Sequence, residues 1–123
     1  MKPRVLVVDD EHSIQQLLKS ALTLSGFEVA LAGNEAEFRK QAFSQKPHVI
    51  ILDIMLGDAD GTQIYQHLLR DGLDEKIPVV FLSALAGDRP PTLPQANRRY
   101  SLIGKPFDCD ELVRELHDLI GIK

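Results

Sequence analysis

Four apolar runs in this chain stop at residues able to do chemistry. Val5-Leu6-Val7-Val8 ends in Asp9-Asp10, and His48-Val49-Ile50-Ile51-Leu52 ends in Asp53. Val79-Val80-Phe81-Leu82 ends in Ser83, and Leu102-Ile103-Gly104 ends in Lys105-Pro106. If these runs are neighbouring strands of an open parallel sheet, their carboxyl ends meet where such sheets bind ligands. Three carboxylates, a hydroxyl and an ammonium then converge. Carboxylates about 4 Å apart repel by roughly 4 kcal/mol per pair at an effective dielectric of about 20, so the cluster needs a cation. Hard oxygen donors with room left for water and phosphate suit Mg²⁺ or Mn²⁺ rather than Zn²⁺. With the metal, Lys105 neutralises oxygens of a transferring phosphoryl group, and Ser83 donates a hydrogen bond to one of them. Such transfer depends mainly on positioning and charge stabilisation, so one carboxylate can serve as nucleophile. Asp53, alone at the end of the middle strand, is the candidate. Asp9 and Asp10 are the expected metal holders.

The elements that must position these groups alternate along the chain. Strands are predicted at about 4–9, 27–31, 48–53, 78–82 and 100–104. A first helix over about 12–25 presents Ile14, Leu17, Leu18, Ala21 and Leu22 at the spacing of one buried face, and Gly26 stops it as a left-handed cap. Asn34 with Glu37 three residues on starts a second helix, which runs to about 45, before Pro47. A third begins near Gly61-Thr62 and buries Ile64, Leu68 and Leu69. Asp108 with Glu111 starts the last, which buries Leu112, Val113, Leu116, Leu119 and Ile120. The first, third and fourth strands are continuously apolar, as strands covered on both faces are. Helical crossovers between parallel strands give an α/β, doubly wound fold. One crossover resists this pattern. Between Ser83 and Tyr100 stand Pro90, Pro91 and Pro94. A proline inside an α-helix costs about 3 kcal/mol, so this fourth crossover is expected to be irregular, with at most a short helix from Pro94 onward.

Composition sets the outer limits. The 123 residues carry 44% hydrophobic and 26% charged side chains and a net charge of -4, which fits one small cytoplasmic domain and argues against a nucleic-acid surface. The start, Met1-Lys2-Pro3-Arg4, leads straight into a strand and reads as neither a signal peptide nor a membrane span. The single cysteine, Cys109, excludes an intramolecular disulfide and a thiolate metal cluster. It reads as an inert residue in the first turn of a helix. His12, His48, His67 and His117 share no ligand spacing. Asp58-Ala59-Asp60-Gly61 fails as a calcium loop, because Gly61 at the sixth position puts Leu56 first and His67 twelfth.

The chain resembles the receiver domain of two-component response regulators. The resemblance spans essentially all of residues 1–123, read as one domain. It is carried by Val7-Val8-Asp9-Asp10-Glu11, Leu52-Asp53-Ile54-Met55-Leu56, Asp60-Gly61, Leu82-Ser83-Ala84 and Lys105-Pro106-Phe107, in that order. It implies a flavodoxin-like, five-stranded parallel sheet of order 2-1-3-4-5. It implies a phosphoacceptor at Asp53, and Mg²⁺ held by Asp10, Asp53 and the backbone carbonyl of Met55, with Asp9 acting through water. Ser83 and Lys105 would bind phosphoryl oxygens, and Lys105-Pro106 would be a cis peptide. The implied partners are a sensor histidine kinase or phosphotransfer protein and a downstream output of unspecified kind. No nucleic acid or membrane is implied. The domain would catalyse only its own phosphorylation and dephosphorylation.

Three departures bear on how a signal would leave the site. Gly57 stands where relatives usually carry proline, which implies a looser loop after Asp53. Leu102 stands where an aromatic switch residue is usual, three positions before the lysine. The nearest aromatic, Tyr100, is expected to point to the opposite face. The proline-rich stretch replaces a helix of the usual output face, so a moving element is expected at 84–97. The alternative reading is a receiver-like interaction module that acts without phosphorylation. A metal-dependent phosphatase built on Asp53 would need an acid two residues later, where Met55 stands.

Overall fold

The computed structural model describes residues 2–83 and 100–121. Five parallel strands form one sheet in the order β2-β1-β3-β6-β7: β1 (Arg4–Val8), β2 (Glu28–Ala32), β3 (Val49–Asp53), β6 (Val79–Ser83) and β7 (Tyr100–Gly104). This is the predicted order 2-1-3-4-5, with a two-residue pair, β4 (Met55–Leu56) and β5 (Ala59–Asp60), added between the third and fourth main strands. The helices are α1 (His12–Leu24), α2 (Glu35–Gln45), α3 (Gly61–Arg70) and α4 (Cys109–Ile120). The proline-rich crossover lies outside the described residues.

Strand alternation divides the core into two layers. Leu6, Val8, Ile50, Leu52, Val79 and Phe81 face one side and pack with Phe38, Ile64, Tyr65 and Leu68 of α2 and α3. Val5, Val7, Val49, Ile51, Val80 and Leu82 face the other and pack with Leu18, Leu22, Leu112 and Leu116 of α1 and α4. Central strands buried on both faces explain the unbroken apolar runs.

Local signals end the helices as their residue types require. The Asn34 side chain accepts from the Glu37 amide at 2.9 Å, and Asp108 accepts from the Asp110 amide at 2.8 Å. Gly26, at φ +94°, follows α1 in the left-handed region. Two burial expectations change. Leu17 is 48% exposed, because α1 touches the sheet with a narrower stripe centred on Leu18 and Leu22. Tyr65, absent from the predicted face of α3, is fully buried and meets the Phe81 ring edge-on at 6.0 Å between centroids.

Candidate functional site

The site is assembled at the carboxyl ends of four strands by register. Val8 pairs with Leu52 in β1–β3, Asp53 with Leu82 in β3–β6, and Ser83 with Gly104 in β6–β7. Asp9, Asp53, Ser83 and Lys105 therefore follow or close adjacent strands at nearly one level. Asp9, Asp53 and Ser83 are buried although polar, and Asp10 is exposed. Carboxylate oxygens of Asp9, Asp10 and Asp53 lie within 4.8 Å of one another.

Lys105 occupies the middle of this cluster. Its Nζ donates to Asp9 Oδ2 and to Asp53 Oδ2, each at 3.0 Å, and to Glu11 Oε1 at 3.3 Å. The strand that carries it is tied down by its own amide, which donates to the Ser83 carbonyl at 2.6 Å. The Lys105-Pro106 peptide is cis, as the resemblance implied. Burial raises the Asp53 carboxyl above its ordinary value, with the neighbouring Asp9 charge pushing the same way, and the hydrogen bond from Lys105 only partly offsets this. Burial works against the charge on Lys105, but hydrogen bonds and charges of Asp9 and Asp53 outweigh it and hold the ammonium above the ordinary lysine value.

Met55 enters through its backbone. Its amide donates to Asp53 Oδ1 at 3.0 Å, which sets residue 55 against the carboxylate, while the residue as a whole is 53% exposed. The segment after it is more regular than the Gly57 departure implied. Met55 pairs with Asp60 and Leu56 with Ala59 in an antiparallel hairpin whose loop is Gly57-Asp58. Gly57 alone in that loop has positive φ, +63°, the requirement of a II′ turn at its first central residue. The glycine closes a two-residue turn instead of loosening the chain. The Gly61 amide then donates to the Ile54 carbonyl at 2.7 Å, and a Cβ on Gly61 would lie 2.2 Å from the Asp53 carbonyl oxygen. Only glycine lets α3 start so close to the strand that ends in Asp53.

The structure thus brings the Asp9, Asp10, Asp53 and Lys105 side chains together and places Ser83, buried, at the end of the strand beside Asp53. Glu11, reaching Lys105, was missed; it stands directly after the acidic pair, and only the folded chain shows it turned toward the lysine. Tyr100 corrects another expectation. It shares the face of Leu102, and its ring meets Phe81 edge-on at 6.1 Å. Residues two apart on a strand point the same way, so the opposite-face assignment broke the period of two.

Three buried or clustered carboxylates suit a hard divalent cation. Cys109 at the start of α4 stands apart, its thiol raised by burial and by the Asp108 and Asp110 charges, as suits an unreactive residue.

The sequence model of the response regulator receiver domain matches residues 5–117, so this chain belongs to that family. It is 38% identical over 120 residues to the transcriptional regulatory protein PrrA of Mycobacterium tuberculosis, covering 96% of this chain and 50% of that protein. It is 30% identical over 118 residues to the DNA-binding dual master transcriptional regulator RpaA of a Synechocystis species, covering 96% and 49%. The chain therefore spans about half the length of these curated relatives. Among solved structures, it superimposes with a TM-score of 0.82 on the receiver domain of a sensor histidine kinase from Pseudomonas aeruginosa PAO1, at 28% identity and covering 98% of this chain and 99% of that one. That structure has a magnesium ion coordinated in its active site cleft. A CheY-like receiver domain from Methanospirillum hungatei JF-1 matches at TM-score 0.82 and 20% identity, covering 98% and 95%, and adds the fold alone. Among the described residues no helix is long and apolar enough to cross a membrane.

Proposed function

We propose that this chain is a phosphoacceptor receiver domain, residues 1–123 acting as one unit, in which Asp53 takes a phosphoryl group from a phosphohistidine of a sensor kinase or phosphotransfer protein. The observation that carries this reading is the position of Lys105 Nζ, 3.0 Å from carboxylate oxygens of both Asp9 and Asp53 at the ends of parallel strands. An Asp53 oxygen bonds to phosphorus as the phosphorus–nitrogen bond of the donor breaks. The electron pair stays on the imidazole nitrogen, and Asp53 becomes an acyl phosphate. Lys105 changes partners, from carboxylate oxygens to oxygens of the incoming group. Ser83, on the strand beside Asp53, donates its hydroxyl to another. The Met55 amide holds Asp53 Oδ1, which leaves the Lys105-facing oxygen in line for bond formation. Asp9, Asp10, Asp53 and the Met55 carbonyl would hold Mg²⁺ or Mn²⁺, which supplies charge neutralisation for the phosphoryl oxygens. The domain acts on itself and on no second substrate, and the added charge of about -1.5 to -2 is its signal to a downstream output.

Intact-mass measurement with a small-molecule phosphodonor and Mg²⁺ tests this. One added phosphoryl group, lost in Asp53→Asn and absent without divalent metal, is expected. An unchanged mass, or equal labelling of Asp53→Asn, would overturn the reading and favour a module that binds its partner without phosphate.

A further inference from the structure

Asp10 is exposed, yet its carboxylate must be aimed at Asp9 and Asp53, and the backbone does the aiming. Both peptides that flank it are pinned. The amide after it, that of Glu11, donates to Asp9 Oδ1 at 2.9 Å. The carbonyl before it, that of Asp9, accepts from Gln15 Nε2 at 2.6 Å. Asp9 is the point where β1 leaves the sheet. Its amide still bonds to the Ala32 carbonyl at 3.0 Å, but β1–β2 pairing ends at Val8 and Ala32. The Asp9 carbonyl, on a fully buried residue, takes its partner from a side chain one turn into α1.

Gln15 is itself confined. Gly33, at the end of β2, donates its amide to Glu37 Oε1 at 2.7 Å, and a Cβ on Gly33 would lie 3.3 Å from Gln15 Nε2. Gly33 has no positive φ, and an added methyl would meet the Gln15 amide first, with Glu37 Oε1 at 3.5 Å and the Asp9 carbonyl oxygen at 3.9 Å in ordinary contact. Gly33, from the loop after β2, thus stands against the side-chain amide that holds the Asp9 carbonyl.

We infer that Gln15 is a positioning residue for the acidic pair, holding the Asp9 carbonyl so that the Asp10 carboxylate faces the cation site, and that it thereby sets the affinity for Mg²⁺. This rests on the metal reading of the site above. Gln15 touches neither metal nor phosphate in this role; it acts through the peptide it holds.

The test uses Gln15→Met, which keeps the length and removes the donor, Gly33→Ala, which crowds the same amide, and the double variant. Calorimetric titration with MgCl₂ reads affinity, and the metal-free ¹H–¹⁵N spectrum reads the backbone. Gln15→Met is expected to weaken Mg²⁺ binding about tenfold, the size typical when a group that orients a ligand is lost, and to move the Asp10 and Glu11 amide signals without metal. Gly33→Ala should weaken binding less, and the double variant no more than Gln15→Met alone, since both act on one hydrogen bond. Wild-type affinity in Gln15→Met, unmoved Asp10 and Glu11 signals, or additive losses in the double variant would overturn the inference. A wild-type protein that binds no Mg²⁺, with those amides still moved by Gln15→Met, would overturn the metal reading and the affinity role while keeping the aim of the peptide.

Discussion

Lys105 Nζ and Asp53 Oδ2 stand 3.0 Å apart across 52 residues of sequence, with both side chains largely buried. The same ammonium also satisfies Asp9. One ammonium thus faces two buried acids, and burial, with the Asp9 charge acting the same way, holds the Asp53 carboxyl above its ordinary value. Removing a charge should therefore help the fold, in contrast to breaking an isolated buried ion pair.

Asp53→Asn is expected to melt higher than the wild type at pH 7 in EDTA, by about 3–5 °C for each kcal/mol gained. Asp53 is raised on folding, so the native state binds its proton more tightly than the unfolded chain does. Its favourable contribution is complete below the ordinary carboxyl value of 3.8 and is lost as pH rises through the higher folded value. The advantage of Asp53→Asn should accordingly shrink as pH falls toward 4. Melting curves across pH check it; an advantage that grew in acid would contradict the assignment.

If Asp10 ligates the metal directly and Asp9 through water, as the proposed site has it, Asp10→Ala is expected to weaken Mg²⁺ binding more than Asp9→Ala. The metal-free proteins should differ in the other direction. Asp10 is exposed, and its removal only relieves repulsion, whereas Asp9 also accepts from the Glu11 amide and from Lys105. Asp10→Ala should thus melt at or above the wild type, and Asp9→Ala below Asp10→Ala. Equal metal affinities in titration would remove this division of labour.

Gly57 is fixed by its turn. Gly57→Ala places a side chain at φ +63°, a conformation that disfavours L-residues by about 1–2 kcal/mol. Gly57→Pro cannot reach positive φ and should destabilise more. Urea unfolding ranks the two, and a neutral Gly57→Pro would show that the hairpin is dispensable.

Gly61→Ala should be the most damaging of the small substitutions, since its methyl would collide with the Asp53 carbonyl oxygen. Overpacking of this kind costs about 1–3 kcal/mol. Because the collision is with the backbone of Asp53, the proposed phosphorylation should slow in the mass assay even in the folded fraction.

Leu102 has no polar tip to alternate between buried and exposed states. Tyr100, on the same face, pairs with Val79, four residues before Ser83, which at about 3.3 Å per residue places it roughly 13 Å from the site. Binding of a phosphate mimic should therefore leave amide exchange at 100–104 nearly unchanged. Altered protection centred on that strand would show that β7 carries the signal. The moving element expected at 84–97 lies outside the described residues.

The sequence alone determined which residues could meet. Apolar runs long enough only for strands, each ended by an acid, a hydroxyl or a lysine, prescribe a parallel sheet with chemistry at one edge, because strand ends are where ordered backbone gives way to side chains. Caps at Asn34 and Asp108 were equally legible, since their hydrogen bonds span three residues or fewer. Everything that depended on distance through space was left to the tertiary structure. Strand pairing placed Asp9, Asp53, Ser83 and Lys105 at one level. Packing chose Tyr65 for the core and left Leu17 outside. The Gly57-Asp58 turn closed a hairpin that a reading of one missing proline made looser. Gln15 lies beside the Asp9 carbonyl because α1 starts against the end of β1, and only the fold brings Gly33, from the loop after β2, up to it. Sequence periodicity records which way a side chain points along its own element. It does not record what another element, tens of residues away, brings to meet it.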